Sequence, residues 1–250
     1  MRPGSLVLCY HAVTDAWEDP LATAPRTLER QIKLLLARGY RAVSAEEALA
    51  NRARTLHVTF DDAFRNVASV LGTLESLRVP VTIFACTRFA EDGAQFRVSE
   101  MRNRIPPDED ELLTMTWQTL RELADRGIEI GSHTISHPHL PELGEEELVA
   151  ELRESRERIG DQLHRPCRFL AYPYGHHDAR VDAAARAAGY IGAFTLEPPT
   201  GAFKPWAAPR VGVYRPDGWL RFALKTARMR QSMLAARAEL RSRDGRAVRS

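Results

Sequence analysis

The sequence is poor in the residues that staple or anchor a chain. Its 250 residues contain three cysteines, Cys9, Cys86 and Cys167, an odd number with no C-x-x-C pair. Each lies in or beside an apolar run, so they read as buried, reduced thiols and not as a disulfide framework. No apolar run approaches the roughly 18 residues of a membrane span. No basic-then-apolar leader precedes residue 6, and "LVLC" is too short for a signal core. The expectation is a cytoplasmic chain with no signal peptide. No G-x-G-x-x-G follows the first apolar run, which removes the best support for a dinucleotide-binding fold. The net charge is only +2, so no nucleic-acid partner is expected.

What is present is an alternation. Short apolar runs at 5–11, 55–60, 81–87, 128–131, 168–171 and 191–196 read as strands. Between them lie stretches with helical spacing: 27–40, 66–80, 116–126, 145–163 and 178–190. A further helix starts at Ser44, whose hydroxyl is placed to cap it with Glu47 three residues on. This βαβα order argues a parallel α/β fold, and the number of units suits a barrel better than an open sheet. Residues 1–216 form one barrel domain in this reading. The polar, mixed-charge stretch 88–115 is a loop insertion at the substrate rim. From Asp217 onward nine Lys/Arg face three Asp/Glu. The segment 217–250 therefore reads as a basic C-terminal helix and tail. Trp219, Leu220, Phe222 and Leu224 are expected to pack on the barrel, or else the helix makes peripheral contact with a membrane surface.

The polar residues collect at one end of the strands. The first strand ends in Tyr10-His11, the second in Asp61-Asp62, another in Ser132-His133, and another in Tyr172-Pro173-Tyr174-Gly175. In a parallel barrel the C-terminal strand ends form the active face. Any one such ending is an ordinary turn or cap; four together indicate a shared site. Two histidines and a carboxylate suit one divalent ion such as zinc. His133 and His137 are spaced i, i+4, but Pro138 disfavours helix there, so the pair belongs on a tight loop. No Glu lies between them, which excludes the H-E-x-x-H protease pattern. Asp62 can be the third ligand. Asp61 is then free to act as general base, since neighbours on an extended chain point opposite ways.

"HVTFDDAF", "GIEIGSHTISHPHL" and "FLAYPYGHHD" resemble, in that order, the motifs of the polysaccharide deacetylases, the NodB-homology group or carbohydrate esterase family four, over about residues 5–215. The resemblance implies a distorted, incomplete (β/α) barrel. It implies one divalent metal ion, usually zinc with cobalt or nickel as alternatives, held by Asp62, His133 and His137, with Asp61 as the base. It implies hydrolysis of an N-acetyl, or an O-acetyl, group on a sugar, oligosaccharide or glycolipid, with Tyr172, Pro173 and Tyr174 at the substrate and Tyr174 also beside the oxyanion. Two departures matter. Tyr172 stands where many members carry an Arg, and no histidine follows His177, so the late acid motif is absent. The "YPYG" variant resembles the poly-N-acetylglucosamine deacetylase branch, in which a Tyr-His near the start takes the late histidine's place. That makes His11 the general acid and leaves Arg210, in "APRVGVY", to orient the base. Alternatives on the same scaffold are a deformylase or cyclic-amide hydrolase, or an inactive sugar-binding member.

Overall fold

Every strand of the principal sheet runs parallel to its neighbours. The structure, a computed structural model, describes residues 5–50, 54–101, 103–196 and 203–227. β1 (Leu6–Tyr10) is followed by a separate small pair, β2 (Ala12–Val13) and β3 (Ala22–Thr23), and by helix α1 (Pro25–Ala37). β4 (Arg41–Ala42), α2 (Ala45–Leu49), β5 (Thr55–Phe60), α3 (Ala68–Ser76) and β6 (Val81–Ala85) come next. After the insertion the chain continues through α4 (Trp117–Asp125), β7 (Glu129–Ser132), α5 (Glu145–Leu163), β8 (Phe169–Ala171), α6 (Ala179–Ala187), β9 (Gly192–Thr195), β10 (Ala208–Pro209) and β11 (Val211–Gly212).

The helices form where local chemistry starts and stops them. α1 begins on Pro25, whose missing N–H costs nothing at a first turn, and buries Leu28, Gln31, Ile32 and Leu35. Ser44 caps α2 by accepting from the Glu47 amide at 3.3 Å, as the sequence predicts. Thr116 and Asp178 cap α4 and α6 in the same way. α5 opens on Glu145, Glu146 and Glu147, acids that favour a helix N-terminus, and lays Leu148, Leu152, Ile159 and Leu163 along one buried stripe.

The sheet order is β10-β9-β8-β7-β6-β5-β1-β11, with β4 added beside the start of β5. Its two outermost strands are consecutive in the chain, separated only by Arg210. The Arg210 amide donates to Thr195 on β9 at 2.9 Å, and three residues later the Val213 amide donates to Cys9 on β1 at 2.8 Å. One extended stretch, 208–212, thus bridges both edges, and the sheet becomes a nearly closed barrel with the helices outside. The first and last strands are neighbours, in register at Leu8↔Val211 and Cys9↔Gly212. Closure removes the unpaired edges that an open parallel sheet would leave.

The insertion at 88–115 is a packed flap. Phe89, Phe96, Met101, Leu112 and Met115 are buried beneath it, and antiparallel bridges Gln95↔Leu113 and Phe64↔Thr114 close it on itself and on the barrel rim. At the other end of the chain, a helix runs through 219–227. Only Phe222 of its large apolar residues turns inward; Trp219, Leu220 and Leu224 are 73%, 57% and 51% exposed. The expected packing of all four is therefore corrected: Phe222 and Thr226 share the inner face, and the other three fall on the outer turn. The tail from 228 lies outside the described residues. No helix among the described residues is long and apolar enough to cross a membrane.

Gly131 on β7 marks a tight point of the barrel wall. A Cβ there would lie 2.4 Å from the Phe84 ring on β6 and 3.0 Å from the Phe169 carbonyl oxygen on β8. Gly131→Ala should therefore lower unfolding free energy by about 1–3 kcal/mol, the usual cost of overpacking. The urea midpoint measures this; an unchanged midpoint would show that the wall yields there.

Candidate metal centre and base

Two adjacent carboxylates at the end of β5 face different partners. The Asp61 amide still donates to the Tyr10 carbonyl at 2.9 Å, continuing the ladder with β1. Asp62 and Ala63 then enter the left-handed region, at φ 66° and 50°. Such non-glycine residues cost roughly 1–3 kcal/mol each and persist only where the surroundings over-determine them. The turn aims Asp62 Oδ1 at His133 Nε2 (3.5 Å) and His137 Nε2 (3.6 Å). These three donor atoms lie within 4.8 Å of one another, all buried.

The histidine loop is strained as well, with Thr134 at φ 72° and His137 at φ 64°. The tight loop expected from Pro138 is what forms. Its amides are all spoken for. Thr134 N donates to Ser132 Oγ (3.0 Å) and His137 N to Thr134 Oγ1 (3.1 Å). Glu151 on α5 accepts from Ile135 N (2.7 Å), Ser136 N (3.1 Å) and Ser136 Oγ (2.6 Å). Glu151 is a residue that sequence reasoning missed. In the helical pattern it is one more outward glutamate, and nothing marks it as the clamp of a loop fifteen residues upstream.

These residues fit a divalent ion. His133 Nδ1 sits 2.8 Å from the Ala171 carbonyl oxygen. A carbonyl can only accept, so the proton is on Nδ1 and the Nε2 lone pair faces Asp62, the arrangement metal-binding histidines use. Asp62 Oδ1 is buried without a hydrogen-bond partner. Burial, and next the Asp61 charge, push Asp62 well above the usual carboxylate range. A cation reverses both effects. Burial likewise lowers His133 and His137, keeping the rings neutral and able to coordinate.

Asp61 is the opposite case. Burial alone would raise it, but the charge and hydrogen bonds of the Arg210 guanidinium outweigh burial and hold it well below the usual carboxylate range. Arg210 grips both oxygens, Nη1 to Oδ1 at 2.6 Å and Nη2 to Oδ2 at 2.8 Å. The same guanidinium donates to Thr59 at 3.1 Å and lies over the Phe84 ring at 5.5 Å. Cys9 Sγ donates to Asp61 Oδ2 at 3.2 Å. A ring nitrogen of His11 falls within 4.8 Å of both the Cys9 sulfur and an Asp61 oxygen. His11 itself is buried and stacked on Tyr214.

The Tyr-Pro-Tyr-Gly turn divides in two. Tyr172 is fully buried, and its hydroxyl donates to Asp182 (3.0 Å) and the Trp206 carbonyl (2.9 Å). Its side chain supports the wall and is not presented to a substrate. Pro173 is buried beneath the turn. Tyr174, at φ 59°, sets its ring edge-on to His137 at 4.5 Å. Its hydroxyl donates to Glu100 of the insertion at 2.6 Å, which also takes His139 Nε2 at 3.1 Å. The Tyr174 proton thus points to Glu100. Of the other histidines, His177 is bonded to Asp182 at 2.8 Å, and His176 stacks at the rim on His139. His57 bridges Val43 and Thr82 inside the wall.

Comparison with known proteins gives this geometry a context. The family model for polysaccharide deacetylase matches residues 49–193, more than half of the chain. YxkH of Bacillus subtilis, a polysaccharide deacetylase by assignment, is 24% identical over 206 residues; the match covers 79% of this chain and 66% of that protein. The Streptococcus pyogenes deacetylase PplD, solved with acetate, superposes with a TM-score of 0.73 at 18% identity, covering 90% of this chain and 99% of that one. A de-N-acetylase from Aggregatibacter actinomycetemcomitans superposes with a TM-score of 0.71 at 19% identity, covering 89% and 99%. At these identities the structures establish the shared fold, a distorted, incomplete (β/α) barrel.

The buried Asp61–Arg210 pair carries a stability prediction. Arg210→Leu strands a buried carboxylate and should cost about 3–5 kcal/mol at pH 7; Arg210→Lys keeps the charge, loses the fork and should cost less. Because Asp61 is depressed in the folded state, the pair contributes stability above the unfolded carboxylate value of about 4 and loses it as pH falls below. Urea unfolding at pH 7 and pH 3 should show the gap between wild type and Arg210→Leu shrinking at low pH; an equal gap at both would mean the loss is packing, not charge.

Proposed function

The chain belongs to the polysaccharide deacetylases, and from that premise we propose that it hydrolyses N-acetyl groups on a carbohydrate, using one divalent metal ion, Asp61 as general base and His11 as general acid. The observation that carries the reading is the separation of two adjacent carboxylates. Asp62 is aimed at two histidines and, among the described residues, forms no ion pair with an arginine or lysine, while Asp61 is held ionised by Arg210. Paired acids driven apart by their surroundings mark an acid–base assignment. The structural likeness to a protein described as a de-N-acetylase favours amide over ester cleavage. The "YPYG" turn and the early Tyr10-His11 favour the poly-N-acetylglucosamine branch. Neither the family match nor the fold supports contact with a glycolipid or a membrane surface.

Asp62, His133 and His137 hold the ion in this reading, with zinc the best match to one oxygen and two nitrogens. When bound, it polarises the acyl oxygen and acidifies water. The protein does the rest. Asp61, fixed by two bonds from Arg210, takes the proton of the attacking water. The C–N bond then breaks, and the leaving nitrogen needs a proton. Burial pushes His11 down to about 4, with the Asp61 charge opposing, so at pH 7 the resting ring is neutral. A ring nitrogen of His11 lies within 4.8 Å of an Asp61 oxygen, and one water can span that gap for the proton Asp61 has accepted. His11 relays it to the nitrogen, and acetate and a free amine leave.

Mass spectrometry of zinc-loaded protein with a panel of N-acetylated oligosaccharides should show loss of one acetyl mass from one class. Asp61→Asn should keep the ion and lower turnover by about 10²–10⁴-fold, the usual share of a general base, while Asp62→Asn should lose the ion. The reverse pair of results would exchange the two roles, and loss of a formyl group instead would change the reaction.

The acid assignment has its own test. His11→Ala should keep stoichiometric metal and lower amide turnover by about 10²-fold. An activated ester, whose leaving group needs no proton, should be much less affected. Equal losses on both substrates would remove His11 from the role of acid.

A further inference from the structure

The side chains around the base form a second set of metal donors, in which Cys9, a residue the deacetylation chemistry does not use, joins Asp61 and His11. Cys9 and His11 are two residues apart at the end of β1, and Thr59 and Asp61 are two apart at the end of β5. In the parallel register Cys9 stands beside Thr59, and Asp61 follows one step beyond the last pair, with its amide on Tyr10. Alternation along each strand therefore turns Cys9, His11 and Asp61 to one side. A sulfur, a ring nitrogen and a carboxylate oxygen end up within 4.8 Å of one another, all three residues buried. His11 Nδ1 is buried and has no hydrogen-bond partner. Cys9 Sγ donates its hydrogen to Asp61 Oδ2 at 3.2 Å, so these two donors already face each other across one proton.

We propose that Cys9, His11 and Asp61 form a second, inhibitory site for a thiophilic divalent ion, zinc in excess or cadmium. Thiolate, imidazole and carboxylate are the donors such ions select. On binding, the Cys9 S–H bond breaks, the proton goes to solvent, and both electrons remain on sulfur as the pair donated to the ion; nothing is oxidised. The site is weaker than the one at Asp62. Arg210 already opposes a cation at Asp61, and the first ion adds a like charge beside it, since His133 Nε2 is 3.9 Å from Asp61 Oδ2. The binding rests only on these three side chains. The inhibition rests on the reading of Asp61 as base, because an ion on Asp61 takes the lone pair that accepts the proton of water.

The test uses the full-length protein loaded with one equivalent of zinc and titrated with cadmium. Bound metal per chain and the ultraviolet thiolate-to-cadmium charge-transfer band are read together. The Asp62 site contains no sulfur, so the band reports a cysteine. Wild type should bind a second ion with the band, and Cys9→Ala should show neither. Cys9→Ser keeps a donor to Asp61, protects the fold and should also lose the band. Absence of the band in wild type, or its persistence in both variants, overturns the site whether or not any deacetylation is found. Turnover in excess zinc should fall by about tenfold or more in wild type relative to one equivalent, and that ratio should stay near one in Cys9→Ser. A second ion that binds through Cys9 without slowing turnover would overturn the inhibition and count against Asp61 as base, while leaving the site standing.

Discussion

The bond on which the rest of the site depends is the buried fork between Arg210 and Asp61. An unpaired carboxylate at this depth would be neutral or would not be tolerated. With Arg210 in place it stays ionised, close to neutral histidines and to a second carboxylate. The fork also ties function to closure. Arg210 is the single residue between β10 and β11, the point where the last strand changes partner from β9 to β1. With the barrel closed, this guanidinium donates to Thr59 on β5 and to Asp61 just past its end. The backbone that removes the sheet's edges and the charge that holds Asp61 ionised come from one residue.

The second constraint is conformational. Asp62, Ala63, Thr134, His137 and Tyr174 all adopt positive φ, and all belong to the turns that surround the candidate metal centre. Side chains that must converge from different strands cannot do so on regular backbone. The departure is held by hydrogen bonds that leave no amide of the histidine loop idle. The amides of Thr87 and Arg88, in the turn just past β6, donate to the loop carbonyls of Thr134 and Ile135, and Glu151 ties the loop to α5. The strain is local, and its support is spread over two neighbouring elements.

The insertion contributes through packing. Phe96 meets the His137 ring edge at 5.3 Å, and Glu100 receives Tyr174 and His139. A segment whose composition is that of a surface loop thus reaches the ring of a candidate ligand. Its buried aromatic residues hold it there. This is how a flap can shape the space above the site while none of its own residues joins the chemistry.

Much of this was legible in the chain. Helical spacing and the Ser44 cap located the helices to within a few residues, because amphipathic periodicity and capping are local. Asp61, Asp62, His133 and His137 stood at strand ends, and their residue types already implied a metal and a base. Parallel order placed those ends on one face. What the sequence could not supply was anything set by residues far apart. It could name Arg210 as a candidate, but only closure brings it within 2.6 Å of a residue 149 positions away. Tyr172 and Tyr174 look alike in "YPYG", yet one is buried on Asp182 and the other faces His137, since the left-handed turn at Tyr174 separates them. Glu151 gave no signal, because its partners are loop amides whose orientation exists only after the loop has formed. Trp219, Leu220 and Leu224 share a helical pattern with Phe222, and only the docked helix shows which face turns inward. Residue type and spacing determined what chemistry was available; the closed barrel decided which groups meet.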